Sequence, residues 1–157
     1  MNAPLMIAVT TRLVERGHVV VRFNFRGTGA SSGTHDYGNA EQADITAAFV
    51  AAEERGLPVG ITGWSFGAGT ALRWLASEGL DIPYVGIAPP PEHLPEILPD
   101  GPKRIIIGNR EQVVDPDAVR DYAESHDIDL VVTAGDHFFH GRAKRIGDLV
   151  GQGLEAR

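Results

Sequence analysis

The chain contains no cysteine, so neither a disulfide staple nor a thiol nucleophile is available to it. Positive charge is scarce as well. Against 21 Asp and Glu stand 14 Lys and Arg, a net charge of −7 that argues against nucleic acid or an anionic membrane as a partner. There is no long apolar run and no basic-then-apolar leader, so neither a membrane span nor a secretory signal is read and the cytoplasm is the expected compartment. A Pro/Ser-rich linker, an internal repeat and a low-complexity tract are missing too. Residues 1–157 therefore read as a single domain, long enough to bury about two-thirds of the surface its unfolded chain exposes.

Glycine, by contrast, is plentiful at 19 residues, and two of them frame the most informative stretch, Gly63-Trp64-Ser65-Phe66-Gly67. Before it, Leu57, Val59 and Ile61 alternate as in a strand; after it, Ala68, Ala71, Leu72 and Leu75 recur as on a helix face until Gly79 stops the helix. A serine at such a strand-to-helix corner presents an exposed, strained hydroxyl. Strand and helix then pass so close that positions 63 and 67 favour residues without a Cβ. The same turn aims the Phe66 N–H, at a helix N-terminus, at the place where an oxyanion would form.

Two further loops leave the C-terminal ends of apolar strands. Gly108-Asn109-Arg110-Glu111-Gln112 follows Arg104-Ile105-Ile106-Ile107, and Gly135-Asp136-His137-Phe138-Phe139-His140-Gly141 follows Leu130-Val131-Val132-Thr133. The chain order is thus serine, acid, histidine, the order that separates α/β-hydrolases from other serine-triad folds, at the end of the sheet where open parallel sheets bind ligands. Strands are expected at 19–25, 57–62, 84–88, 104–107 and 130–133, and helices at 2–15, 40–55, 66–78, 116–125 and 141–154. In the first helix Asn2 reads as a cap, Pro4 lies in the first turn and Gly17 is the stop. The alternation predicts an α/β fold, a mostly parallel sheet covered by helices on both faces.

The blocks Val21-Arg22-Phe23-Asn24-Phe25-Arg26-Gly27-Thr28-Gly29-Ala30-Ser31, Gly63-Trp64-Ser65-Phe66-Gly67, Ala88-Pro89-Pro90 and Asp136-His137-Phe138-Phe139-His140 resemble small bacterial α/β-hydrolases of the dienelactone-hydrolase-like and serine-aminopeptidase-like group. The resemblance spans residues 2–155. It implies Ser65 as nucleophile, His137 as base, the Phe66 N–H as oxyanion donor and an acid on the loop after Ile107. Where that group reads Gly-Asp-x-Asp, this chain has Gly108-Asn109-Arg110-Glu111, which makes Glu111 the acid, one methylene longer. Asp115 is the rival, but Asp115-Pro116 ahead of an amphipathic stretch reads better as a helix cap.

The resemblance also implies a strand between 19–25 and 57–62, whose loop supplies a second oxyanion N–H. No segment of this sequence matches it. The two flanking strands close up and pair, the chain is a shortened form, or a second chain fills the gap; the first two are favoured because an unpaired central strand strands buried backbone groups. With one donor fewer, slow acylation is expected, since a lost oxyanion donor typically costs about a hundredfold to a thousandfold in rate.

Other signals have plainer readings. Gly27-Thr28-Gly29-Ala30-Ser31-Ser32-Gly33 nearly spells a dinucleotide fingerprint, but its last glycine is one residue late and a loop follows, so no cofactor is expected. His35 and Asp36 read as loop structure and no metal site is expected. His140 reads as a helix cap, Asp44 and Glu41 as partners of the Arg26-Gly27 loop, Trp74 as core and His18 as surface. The short, proline-rich stretch 89–99 leaves no room for a helical lid, while Leu94, Ile97 and Leu98 could wall a pocket. The expected activity is hydrolysis of small carboxylic esters or thioesters, a small-molecule partner, with a homo-oligomer left open. A weak or inactive hydrolase-fold binding protein and an acylaminoacyl or prolyl-type peptidase are the alternatives.

Overall fold

The structure, a computed structural model, describes residues 3–156. Five helices and four strands follow in the order α1 (Pro4–Glu15), α2 (Glu41–Glu53), β1 (Ile61–Trp64), α3 (Phe66–Glu78), β2 (Tyr84–Ile87), β3 (Lys103–Gly108), α4 (Pro116–Ser125), β4 (Asp129–Thr133) and α5 (Ala143–Leu154). The strands form one parallel sheet in the order β1-β2-β3-β4.

Alternation along the two central strands divides the core in two. Tyr84, Ile105 and Ile107 point to one face, where Leu72, Trp74 and Leu75 of α3, Val119 of α4 and Ile45 of α2 cover them. Val85, Ile87 and Ile106 point to the other face, under Leu5, Val9 and Leu13 of α1 and Ile146, Leu149 and Val150 of α5. Helices therefore lie on both faces, as the pattern predicts.

Two of the helix signals act as read. Gly79 ends α3 in the left-handed conformation, and the Asp115 carboxylate caps α4 by accepting from the backbone N–H groups of Asp117 and Ala118. Asn2, read as the cap of the first helix, lies outside the described residues; Ala3 holds the cap position without a side-chain bond. Ion pairs of Arg12 with Asp148 and of Arg16 with Glu155 bind α1 to α5, and His18 adds a contact to Glu155 at 3.0 Å.

The edge of the sheet departs from expectation in two ways. The strand expected at 57–62 starts only at Ile61, because pairing begins where β2 does, at Tyr84, and Pro58 has no N–H to offer. The segment 19–25 joins no ladder at all and does not close onto β1. Phe23 and Phe25 pack instead against the α2–α3 side of the core, with Phe25 edge-on to Phe66 at 5.1 and 5.5 Å from Phe23 and Phe66 respectively. A cavity of about 170 Å³ separates them from β1, bounded by Met6, Phe23, Phe25, Thr62, Gly63 and Gly67. Ile61 donates to Pro83 and Ser65 donates to Ile87. In a parallel ladder alternate residues bond to one neighbour, so Thr62 and Trp64 turn their backbone groups away from β2 into this gap.

Candidate active site

Ser65 follows β1 directly and sits at φ 51°, ψ −123°, a sparsely populated conformation for a residue with a Cβ and one that costs about 1–3 kcal/mol. The corner is held on both sides. Ser65 N–H donates to Ile87 C=O at 2.8 Å, and Ser65 C=O accepts from Ala68 N–H at 2.9 Å. A Cβ on Gly63 would lie 2.6 Å from the backbone of Gly67, so a side chain is excluded there. Position 67 is different: a Cβ would meet only the Phe25 ring at 3.7 Å, an ordinary contact. The expectation that both glycines are demanded by close approach is corrected to one, because it is the Cβ of residue 63 that faces the opposing backbone. The Phe66 N–H, first of α3, has no hydrogen-bond partner among the described residues, as the orphan donors of a helix N-terminus require.

The acid and the histidine meet. Glu111, on the loop after β3, is fully buried at its side chain and its Oε1 accepts from the backbone N–H groups of Gln112, Val113 and Val114 at 2.9, 2.8 and 3.3 Å. His137, on the loop after β4 and only 3% exposed, turns Nδ1 to Glu111 Oε1 and Oε2 at 3.0 and 3.1 Å. With Nδ1–H donating to the carboxylate, Nε2 is left as the proton acceptor. Asp115, the rival acid, is exposed and spends its carboxylate on the α4 cap.

Between Ser65 and His137 stands Trp64. Trp64, the residue before Ser65, lies with its ring 5.5 Å from the His137 ring and donates Nε1–H to the His137 carbonyl at 3.1 Å. Among the described residues Ser65 Oγ itself carries no hydrogen bond. All three loops leave the C-terminal ends of parallel strands, β1, β3 and β4.

Around this cluster several expectations are refined. Asp44 binds Arg26 through its backbone N–H at 2.9 Å and through its guanidinium, as expected, and this pairing holds the Asp44 carboxyl below its usual range. Glu41 does not reach that loop. It is buried at the start of α2, where it accepts from the N–H groups of Asp36 and Gly38 and meets His35 Nδ1 at 2.7 Å. Burial pushes its carboxyl up, but these donors outweigh it and leave the group below its ordinary value. His140 caps no helix: it is 80% exposed at its side chain and faces Asp136 at 3.6 Å, while Arg142 precedes α5 without a capping bond. Leu94 packs into the core, Ile97 stands 82% exposed, and Leu98 lines a separate pocket with Lys103, His126 and Asp129, so these three do not together wall one pocket.

Between β2 and β3 only a short 3₁₀ turn, Pro91–His93, interrupts the loop. Among the described residues no three His, Cys, Asp or Glu side chains come together to hold a metal ion, and no helix is long and apolar enough to cross a membrane. Sequence reasoning missed Trp64, whose only advance signal was a hydrogen-bond donor on the aromatic ring next to the serine.

No protein-family model matches the chain. An uncharacterised protein of Rickettsia prowazekii is 28% identical over 167 residues, covering 96% of this chain and 70% of that protein. Among solved structures, an α/β serine hydrolase without a lid from Xanthomonas campestris is 30% identical with a TM-score of 0.84, covering 98% of this chain and 73% of the other. An α/β serine hydrolase homologue from Coxiella burnetii is 29% identical with a TM-score of 0.88, covering 98% and 77%. Parallel sheet, two-sided helix cover, serine corner and these likenesses agree: the chain belongs to the α/β-hydrolase family.

Proposed function

We propose that the protein is a serine hydrolase of small carboxylic esters or thioesters, working through Ser65, His137 and Glu111. The observation that carries this reading is the buried Glu111–His137 couple beside the strained Ser65 corner. Ser65 Oγ attacks the acyl carbon as His137 Nε2 takes its proton. Phe66 N–H donates to the oxyanion that forms, and Glu111 steadies the imidazolium. Collapse of the tetrahedral intermediate expels the alcohol or thiol, which leaves with the proton from His137, and water repeats the sequence on the acyl-enzyme. The loop between β2 and β3, with no lid helix, leaves the cleft open and favours small soluble substrates over emulsified lipid.

A weaker reading, a hydrolase-fold binder of low activity, draws support from the unbonded Ser65 Oγ and from a single assigned oxyanion donor. A panel of acyl p-nitrophenyl esters and aminoacyl p-nitroanilides, run on the wild type and on Ser65→Ala, separates the readings. Ester turnover that vanishes in Ser65→Ala is the expected result. Preferential amide turnover would make the protein a peptidase, and ester turnover equal in both proteins would remove Ser65 from the chemistry.

A further inference from the structure

We infer that Trp64 is a positioning residue that clasps the base to the strand bearing the nucleophile. The inference rests on the reading of Ser65 and His137 as nucleophile and base. The problem it solves is one of reach. Ser65 stands at the end of β1 and the His137 loop at the end of β4, with β2 and β3 between them. Three strand spacings put the two strand ends about 14 Å apart in the sheet. The His137 loop must therefore lean back across two strands, and something has to hold it there.

Its own bonds do not. Phe138 N–H donates to Asp136 Oδ1 and Phe139 N–H to Asp136 C=O, which shapes the loop internally. The Glu111–His137 contact, the donation from Gly135 N–H to Asn109 Oδ1 and that from Arg110 N–H to Gly135 C=O tie it to the neighbouring β3 loop. Among the described residues, the one hydrogen bond between segment 61–67 and loop 134–142 runs from Trp64 Nε1–H to His137 C=O at 3.1 Å.

The bond suits both partners. The indole N–H only donates, and the carbonyl of a histidine 3% exposed needs a donor. Trp64 also braces the loop sideways, its ring 5.5 Å from that of His137 and 5.8 Å from that of Phe138. One peptide bond joins Trp64 to Ser65, so this side chain ties the loop that carries the imidazole to the strand that carries the hydroxyl, while Glu111 holds the ring from its other side. Displacing a catalytic group by about 1 Å can cost a hundredfold in rate.

The test is Trp64→Phe, which keeps an aromatic ring and removes the donor. It reads the rate at which a fluorophosphonate labels Ser65, kcat and KM on p-nitrophenyl acetate, thermal stability, and the downfield proton resonance of His137 Nδ1–H. The expected result is a labelling rate and kcat lower by roughly ten- to a hundredfold with KM unchanged, a folded protein, and a broadened His137 resonance. Unchanged labelling and an unchanged resonance would overturn the inference and leave Trp64 as packing. If the wild type is not labelled at all, the hydrolase reading fails, and the resonance alone decides the clasp: broadened supports it, unchanged overturns it. Should Trp64→Phe not fold, benzothienylalanine at position 64 puts sulfur in place of the N–H in a ring of the same shape, and the same readings apply.

Discussion

At Gly63 the spacing of two backbones decides which residue fits. A methyl group there would sit 2.6 Å from Gly67 C and O, so Gly63→Ala must push β1 and α3 apart at the serine corner; one at position 67 meets only an aromatic edge. We expect Gly63→Ala to abolish reaction at Ser65 and lower the melting temperature. Gly67→Ala, in the first turn of α3, should fold at least as well as the wild type, since alanine is favoured over glycine in a helix by up to about 1 kcal/mol. Melting curves of both variants check this, and equal curves would show that the corner has slack. The two carboxylates divide similarly. Glu111→Gln keeps the shape but weakens the hold on His137, so turnover should fall steeply with little change in stability. Asp115→Ala should leave turnover alone and cost about 1 kcal/mol through loss of the α4 cap, read by denaturant unfolding. The Asp115 cap was legible in the sequence, because an Asp before Pro at a helix start is a local signal, and the resemblance pointed to Glu111 on the loop after Ile107, where the structure sets it against His137. The Trp64 bond was not, because its acceptor lies 73 residues further on and only the folded loops bring it near.

The helices show how far element signals reach. α3 and α4 occupy the residues expected of them, 66–78 and 116–125, because a stop glycine and a capping aspartate are written beside them. Segment 19–25 has the valines and phenylalanines of a strand, yet a strand exists only where a neighbour accepts its hydrogen bonds, and its composition says nothing about that neighbour. Packing of Phe23 and Phe25 and a hydrogen bond from Ser31 Oγ to Asn24 C=O help to hold it, and Asn24 Oδ1 is buried without a partner. The α1–α5 contact yields a pH prediction. Hydrogen bonds from Arg16, then His18, hold the Glu155 carboxyl down to about 2, against an ordinary 4.5. A carboxyl lowered on folding stabilises the folded state above its unfolded value, and that contribution drains away as pH falls towards the folded one. Thermal scans should therefore show the wild type losing more stability between pH 4.5 and 2 than Glu155→Gln does. Equal losses would mean that this half-exposed pair adds nothing, a common fate of surface ion pairs.

For the whole molecule, the sheet is sealed on both faces and open along β1. Ile105, Ile106 and Ile107 are fully buried between the two helix layers. Ile106→Ala should cost about 2–5 kcal/mol by denaturant unfolding, whereas truncating exposed Ile97 should cost almost nothing. Hydrogen exchange maps the open side. The amides of Thr62 and Trp64 should exchange far faster than those of β2 and β3, and strong protection at Thr62 and Trp64 would show the gap to be closed in solution. The overall α/β plan was legible because alternating strand and helix patterns leave few alternatives, and so was the missing strand between 19–25 and 57–62; that the two flanking segments stay apart was not, since it depends on how Phe23 and Phe25 pack in the folded chain. On the proposed function, these layers serve to expose one activated serine. Incubation with a fluorophosphonate followed by peptide mass mapping tests it most directly. One adduct is expected, on Ser65, forming far more slowly in His137→Ala and absent from Ser65→Ala. An unmodified Ser65 peptide, or labelling that His137→Ala leaves unchanged, would contradict it.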